Sequence, residues 1–417
     1  MKNLFLHTGE LYLPAAGVNP TAWACVACDQ FTSQPEYWRE VEALVGQQPS
    51  AYRLILPETE LAQAATRVPQ IHAAMRAYLD NGTLSVGVAD GMILTERGTG
   101  SGDRLGLVAM LDLEGYEYRA GSHSPVRATE GTIEERIPPR LAVRRGAALE
   151  LSHVILLMDD PHETVLEPLY QRRAQLPLLY DFPLMMNGGH LRGYAVTDPA
   201  EVQAVFAALS ALDDHKTGDL LFAVGDGNHS LASAKAYWEE VKPTLTAAER
   251  ETHPARFAMV ELENIHDGAL VFEPIHRVLY GFDGDDLLPE LEAYAEAKGW
   301  LLACNDPGQS IDVVYEGKEV RLNVCGSPYP LTVGTLQAFL DDWIPAHPGV
   351  TLDYVHGEAA ARALSQGVRT VAFLLPAMDK HELFPAVAKL GSLPRKTFSM
   401  GEAHEKRYYM EARKIVR

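Results

Sequence analysis

Leu220-Leu221-Phe222-Ala223-Val224 runs into Gly225-Asp226-Gly227-Asn228-His229-Ser230, and Leu231 to Val241 follow. An unbroken apolar run of this length, closed by glycines, reads as a buried strand. Leu231, Ala234, Trp238 and Val241 recur at helical spacing, so the next segment reads as an amphipathic helix. The turn between them is short and polar. Gly225 and Gly227 permit positive φ and close backbone approach. The first amides of the helix lack internal partners, and with the helix dipole they favour an anion. Asp226 is a candidate base or metal ligand and His229 a candidate proton donor or phosphate contact, while Asn228 and Ser230 offer polar groups at the same turn. Lys235, one turn further on, is a candidate to reach the same ligand. A plainer reading stands beside this one: Asp-Gly-Asn makes an ordinary turn, and Asn228 or Ser230 an ordinary helix cap.

Outward from this unit, strand and helix patterns alternate over nearly the whole chain. That predicts an α/β or mixed α+β fold, with mixed sheets flanked by helices. Residues 23–28 read as a strand and 35–45 as a helix with Trp38, Val41, Leu44 and Val45 on one face. Tyr52–Leu56 reads as a short strand, and a helix from about residue 58 to Asn81-Gly82 is broken near Pro69. Residues 84–95 and 104–113 form a predicted hairpin about a glycine-rich loop at 98–102. Further strands are expected at 153–158, 190–196, 256–262 and 270–279, with helices near 199–211 and 285–297 and a charged helix near 402–415. The expected division is an N-terminal lobe, 1–245, carrying the glycine turn, and a C-terminal lobe, 246–417.

The 417 residues are ample for more than one core. Apolar residues at 47% and charged residues at 22% predict packed cores rather than disorder. With 56 acidic against 36 basic residues the net charge is −20, which disfavours nucleic acid as a partner. No apolar stretch is long enough to span a membrane, and Met1 to His7 do not read as a signal peptide, so a cytoplasmic protein is expected. Cys25 and Cys28 have the spacing of half a zinc or redox site, but no second such pair occurs, so they read as buried small hydrophobes. With Cys304 and Cys325 they make four cysteines, too few for a disulfide scaffold in a chain this long.

A second polar concentration spans 119–145, with Arg119, Arg127, Arg136, Arg140, Arg144 and Arg145 in an otherwise acidic chain. Guanidinium forks at Arg127, Arg136 and Arg140, beside the stiff Pro138-Pro139, suit a phosphorylated or carboxylate ligand. Glu130 beside them is a candidate base. A solvated ion-pair surface is the alternative. Lys396, after Leu393-Pro394-Arg395, is a candidate phosphate contact, and Asp160, ending a strand, a candidate Mg²⁺ ligand or a simple cap. His404, Lys406 and Arg407 read as one basic face of the terminal helix.

The turn resembles the Asp-Gly-His-His-Arg-Tyr signature of the domain of unknown function 1015 family. Arg127-Ala128-Thr129-Glu130-Gly131-Thr132 to Arg136, Asn187-Gly188-Gly189-His190, Glu273-Pro274-Ile275-His276-Arg277 and Leu393 to Gly401 resemble further blocks of that family. Ala27-Cys28-Asp29-Gln30-Phe31-Thr32 resembles the opening of one of its branches. The strand, turn and helix also look like the core of the ParB/sulfiredoxin superfamily, which includes kinases of free serine. That resemblance implies nucleotide phosphates at the start of the helix. The sequence departs from it at Ser230, where many relatives carry Arg.

These readings lead first to a phosphotransferase using ATP or ADP with Mg²⁺ on a small polar metabolite such as serine or another hydroxy amino acid. In it the turn at 225–230 and the arginines hold phosphate, while Asp226 or Glu130 accepts the hydroxyl proton. A metal-dependent hydrolase built on His190, His229 and Asp226 is the alternative, and a non-catalytic ligand sensor the third.

Overall fold

The computed structural model describes residues 3–32, 34–119, 121–131, 137–302 and 308–416. Arg136 and Cys304 lie outside the described residues. The chain forms two compact units, Met1–Val271 with Val387–Gly391 and Gly401–Arg417, and Phe272–Ala386 with Ser392–Met400.

In the first unit the strands are β1 (Leu6–His7), β2 (Gly9–Pro14), β3 (Leu84–Thr99), β4 (Gly102–Asp112), β5 (Tyr116–Glu117), β6 (Val126–Ala128), β7 (Leu149–Glu150), β8 (Ile155–Met158), β9 (Leu178–Pro183), β10 (His190–Val196), β11 (Phe222–Asp226) and β12 (Phe257–Asn264). Its main helices are α1 (Pro20–Trp23), α2 (Pro35–Val45), α3 (Ala64–Asp80), α4 (Ile137–Arg144), α5 (Leu166–Gln171), α6 (Pro199–His215), α7 (Asn228–Val241) and α8 (Ala247–Thr252). The central sheet has the order β5-β6-β11-β8-β12-β4-β3-β10-β9, with β1 on β4 and β2 on β3. The β6–β11 and β8–β12 pairs are parallel, and β11–β8, β12–β4 and β3–β4 are antiparallel, which makes the sheet mixed.

Each face of this sheet has its own core. Val224, Leu156, Val260 and Leu262 pack on one side under Leu231, Ala234 and Trp238 of α7 and Val205 and Leu209 of α6. Ile93, Val108 and Met259 pack on the other under Trp38 and Val41 of α2, Ile71 and Met75 of α3, and the C-terminal Tyr408, Tyr409 and Met410. Side chains alternate across a strand, so β12 sends Val260 and Leu262 one way and Met259, Glu261 and Glu263 the other.

In the second unit β13 (Phe272–Tyr280), β14 (Gln309–Tyr315), β15 (Lys318–Val324), β16 (Thr351–His356) and β17 (Thr370–Leu374) form a sheet of order β15-β14-β17-β13-β16, and β18 (Phe398–Met400) extends β13. α9 (Gly284–Ala297) and α10 (Thr332–Trp343) cover one face through Leu287, Leu291, Phe339 and Trp343. α11 (Glu358–Leu364) places Ala361 on the other.

The hairpin, α2, α6, α9 and the strand–turn–helix at 222–241 form as the patterns predict. Several expectations are corrected. The division near residue 245 falls inside the first unit, because β12 is hydrogen-bonded between β4 and β8. Residues 23–28 are not a sheet strand: α1 ends at Trp23, and Cys25 and Ala27 exchange backbone hydrogen bonds with Tyr409 and Arg407. Ala51–Leu54 is a 3-10 turn rather than a strand. Leu44 is exposed, unlike the rest of its expected face. The helix α3 passes through Pro69 unbroken, although the proline forgoes the backbone bond to the carbonyl of residue 65 and crowds it.

The largest correction is the C-terminus, which is not a helix. It enters through a 3-10 turn at Ala403–Glu405, runs extended beside Cys25–Ala27, pairs Ala412 with Tyr12, and ends with β19 (Arg413–Lys414) on β7. Its charges meet buried carboxylates of the sheet instead of water. Arg407 lies 2.6 Å from Glu261 and 2.8 Å from Glu411, and Arg413 lies 2.7 Å from Glu150.

Candidate functional site

β11 ends at Asp226, and the chain turns through Gly227 at φ 79°, a left-handed conformation that only glycine adopts cheaply. A Cβ on Gly227 would stand 2.9 Å from the Val154 Cα, so the turn needs glycine for space as well. Gly227→Ala should therefore cost about 1–3 kcal/mol, read by denaturant unfolding. An unchanged midpoint would mean that the turn relaxes freely. Gly225 instead stays within β11 and is absent from the positive-φ residues, which corrects the symmetrical reading of the two glycines.

α7 begins without a side-chain cap. The plainer reading, with Asn228 or Ser230 as cap, is thereby set aside. Asn228 Oδ1 is buried and has no hydrogen-bond partner among the described residues. Asp226 Oδ1 accepts the Gly227 amide at 2.8 Å, and its Oδ2 lies 3.3 Å from Lys406 Nζ, a lysine only 7% exposed. The extended tail delivers Lys406 here, because Arg407 is anchored two strands over, on Glu261 of β12. Glu261 and Asp226 are both register partners of Ile155.

Next to this pair stands His153, 3% exposed. Its Nδ1 is 2.7 Å from the Tyr409 hydroxyl and its Nε2 is 3.6 Å from Asp29. The Tyr409 hydroxyl also accepts the Cys28 amide at 3.1 Å. Burial alone would push the His153 imidazole toward neutrality, but the carboxylates of Asp29 and Asp226 outweigh it and hold its pKa above the ordinary value. Burial likewise opposes ionisation of Asp29. The imidazolium, a hydrogen bond from Gln30 and the Arg140 guanidinium overcome it and hold that carboxyl well below the usual range.

The sign of the linkage follows. His153 contributes stability fully present below about pH 6.5, lost as pH rises through its folded pKa. Asp29 contributes stability present above about pH 4, lost as pH falls through its own lowered pKa. Asp29→Asn should bring the NMR titration midpoint of the His153 ring from above 6.5 to below it, because burial then dominates. A midpoint that does not move would show that Asp29 does not hold the proton.

The predicted residues divide. Thr129 donates to the Val224 carbonyl at 2.6 Å, which draws Glu130, just past β6, alongside the end of β11. His229 is half-buried on the first turn of α7, and its carbonyl accepts the Ser233 hydroxyl. Arg140 pairs with Glu58 and, with Ser230, Ser233, Cys28 and Tyr409, lines a cavity of about 110 Å³ beside α7. Arg144 lines the same cavity and lies 2.5 Å from the buried Glu150. Arg127 is buried on β6 and donates to the Ser122 carbonyl. Arg119 and Arg145 are surface residues paired with Glu117 and Glu240.

Three expectations are corrected. The Lys235 ammonium bonds the Leu113 carbonyl at 2.9 Å and Glu239 at 3.0 Å, one turn toward the far end of α7, so it does not turn back to the helix start. Asp160 is fully buried, and its oxygens accept from the Thr164 and Val165 amides and the Thr164 hydroxyl, which makes it a loop cap rather than a metal ligand. Lys396 is exposed in the second unit, where its carbonyl accepts from the buried Arg277. Arg277 and His276 are also spent within that unit, Arg277 on the carbonyls of Ile275, Arg395 and Lys396, and His276 Nδ1 on the Leu375 amide. His190 pairs with Asp181 on the exposed end of β10. Among the described residues no three His, Cys, Asp or Glu side chains gather as a metal site.

Asp29, His153, Lys406 and Tyr409 were missed as site residues. The run of large apolar side chains Tyr408-Tyr409-Met410 was the signal that the tail does not lie on the surface. No local pattern marks His153.

The model of a family described as a protein of unknown function, DUF1015, matches residues 12–344. The chain belongs to the DUF1015 family. No curated protein matches this DUF1015 member. Solved structures similar to it include a conserved hypothetical protein from Pyrococcus furiosus, at 11% identity over 74% of this chain and 95% of that one, TM-score 0.39. A free serine kinase in complex with AMP is similar at 11% identity over 74% of this chain and 92% of that one, TM-score 0.41. C-terminally truncated SbnI from Staphylococcus aureus is similar at 10% identity over 68% and 82%, TM-score 0.36. Among the described residues no helix of this DUF1015 chain is long and apolar enough to cross a membrane.

Proposed function

We propose that this DUF1015 protein is a phosphotransferase that moves a phosphoryl group from ATP or ADP to the hydroxyl of a small polar metabolite. Serine is the first acceptor to test, as the substrate of the free serine kinases that the turn resembles. The observation that carries this reading is a carboxylate and a buried ammonium, Asp226 and Lys406, 3.3 Å apart at an uncapped helix start. The amides of a helix start and a lysine together make an anion cradle, and the carboxylate beside them is placed to take a proton. Lys406 supplies, from the far end of the sequence, the cation missing at Ser230.

In the reaction the acceptor oxygen attacks the terminal phosphorus while Asp226 takes its proton. The bond from phosphorus to the bridging oxygen breaks, and that oxygen leaves on the shortened nucleotide. Lys406 and the amides of the first α7 turn face the charge that grows on the phosphoryl oxygens. Arg140 and the His153 imidazolium offset the carboxylates of Glu58 and Asp29 beside the turn. Asp226 and Asn228 Oδ1, which has no partner among the described residues, are hard oxygen donors of the kind Mg²⁺ takes, so they fit it. Held by these oxygens, Mg²⁺ would supply positive charge to offset that of the phosphates.

Thermal unfolding with ATP, ADP, pyrophosphate, phosphoserine and serine, each with and without Mg²⁺, tests this. A ligand at one hundred times its Kd adds about 2.7 kcal/mol, a visible shift. The expected result is a shift with ATP or ADP. No shift with any phosphate compound overturns the reading.

A further inference from the structure

The cavity beside α7 is chemically unlike the turn it adjoins. Its walls are largely apolar, with Leu54, Leu56, Met75, Val143 and Leu149 among them, and the polar groups enter at its edges. A phosphate gains nothing from such walls and loses its hydration. At about 110 Å³ the space holds roughly four waters at their liquid volume, the size of a flat ring system and not of a whole nucleotide.

Its polar fittings have a pattern. Arg140 and Arg144 stand one helical turn apart on α4, so two planar guanidinium groups share one wall. Such planes stack on aromatic faces. From α7, Ser230 and Ser233 also line the cavity. A hydroxyl that donates and accepts suits the edge of a heteroaromatic ring. The cavity also joins the reaction turn through shared residues. Ser230 lies on the first turn of α7, and Tyr409 holds His153 beside Asp226.

Resting on the phosphotransferase reading, we propose that this cavity is the nucleobase subsite, taking a purine between the α4 guanidinium groups and the Leu54–Leu56 wall while the phosphates lie at the start of α7. The base, not the phosphate chain alone, then sets a large part of the affinity.

Isothermal titration of the full chain with Mg·ATP and with Mg·tripolyphosphate tests this, repeated on Val143→Trp. Val143 is half-buried on α4, so an indole there fills the cavity with little repacking, and Val143→Phe serves as a smaller filler. The expected result is ATP bound on the order of tenfold to a hundredfold tighter than tripolyphosphate, the range of base stacking. Val143→Trp removes that advantage and leaves tripolyphosphate binding intact, which also reports that the variant is folded. Equal affinity of the wild type for both ligands overturns the base subsite and leaves the phosphate reading standing. Equal weakening of both ligands in Val143→Trp and Val143→Phe also overturns it. Binding of neither ligand by the wild type removes the phosphotransferase reading, and the subsite falls with it.

Discussion

Asp226→Asn is expected to lower phosphoryl transfer from ATP or ADP to a hydroxy acceptor by about 10²–10⁴, the worth of a positioned general base. The amide keeps the size of the side chain and its hydrogen bond from the Gly227 amide, so the turn persists. The negative charge facing Lys406 is lost. Because Lys406 is nearly buried, its unpaired ammonium should destabilise the fold by on the order of 2 kcal/mol, less than for a fully buried pair. Loss of activity and loss of stability are thus confounded in the single variant.

The double variant Asp226→Asn/Lys406→Met separates them. With both charges gone the unpaired ammonium disappears, and the unfolding midpoint should return toward wild type. Activity should stay lost. Recovery of activity in the double variant would mean that Asp226 matters only as the counter-ion of Lys406. Full activity in the single variant would remove Asp226 from the chemistry.

The largest stability effect should come from Arg407→Met. Arg407 is 5% exposed and holds Glu261, Glu411 and the Ser152 carbonyl at 2.6, 2.8 and 2.6 Å. Removing it leaves two carboxylates buried without their cation, costing about 3–5 kcal/mol, and frees the tail that carries Lys406 and Tyr409. Guanidinium chloride unfolding reads the loss. Burial raises the Glu261 pKa, but Arg407 together with Thr95 and Arg104 more than reverses this and holds it below the ordinary value. Its contribution is therefore present above about pH 4.5 and lost as pH falls through the folded value. The gap between wild type and Arg407→Met should narrow as pH falls below about 4.5 and through the lowered folded value of Glu261. A gap independent of pH would assign the effect to packing of the arginine stem.

Nearby, burial and the neighbouring Glu261 and Asp267 push the Glu263 carboxyl up to about 8, although Arg104 lies 3.0 Å away. Glu263 thus begins to ionise only near neutral pH. The tail is fastened to the sheet through Arg407 and Arg413 while this neighbour stays largely uncharged.

The local sequence determined the elements whose signals are short-range. The run 220–241 specified its strand, glycine turn and amphipathic helix, because periodicity and the conformational freedom of Gly227 act within a few residues. The hairpin about residue 100 and helices α2, α6 and α9 were legible for the same reason, and with them the mixed α/β class and the position of Asp226. Only the tertiary structure decided which charges serve the site. Lys235 looked well placed by helical spacing, yet a lysine stem is long enough to turn either way, and Leu113 and Glu239 drew it off. Asp160 looked like a metal ligand until the amides of residues 164 and 165 used its oxygens. Residues 402–415 carry a pattern that fits a solvated helix. Glu261 and Glu150, more than 100 residues earlier, instead stretch the segment across the sheet, and so bring Lys406 to Asp226 and Tyr409 to His153. A buried charge goes where its counter-charge is fixed, and that position is set by the pairing of distant strands, which no window of local sequence contains.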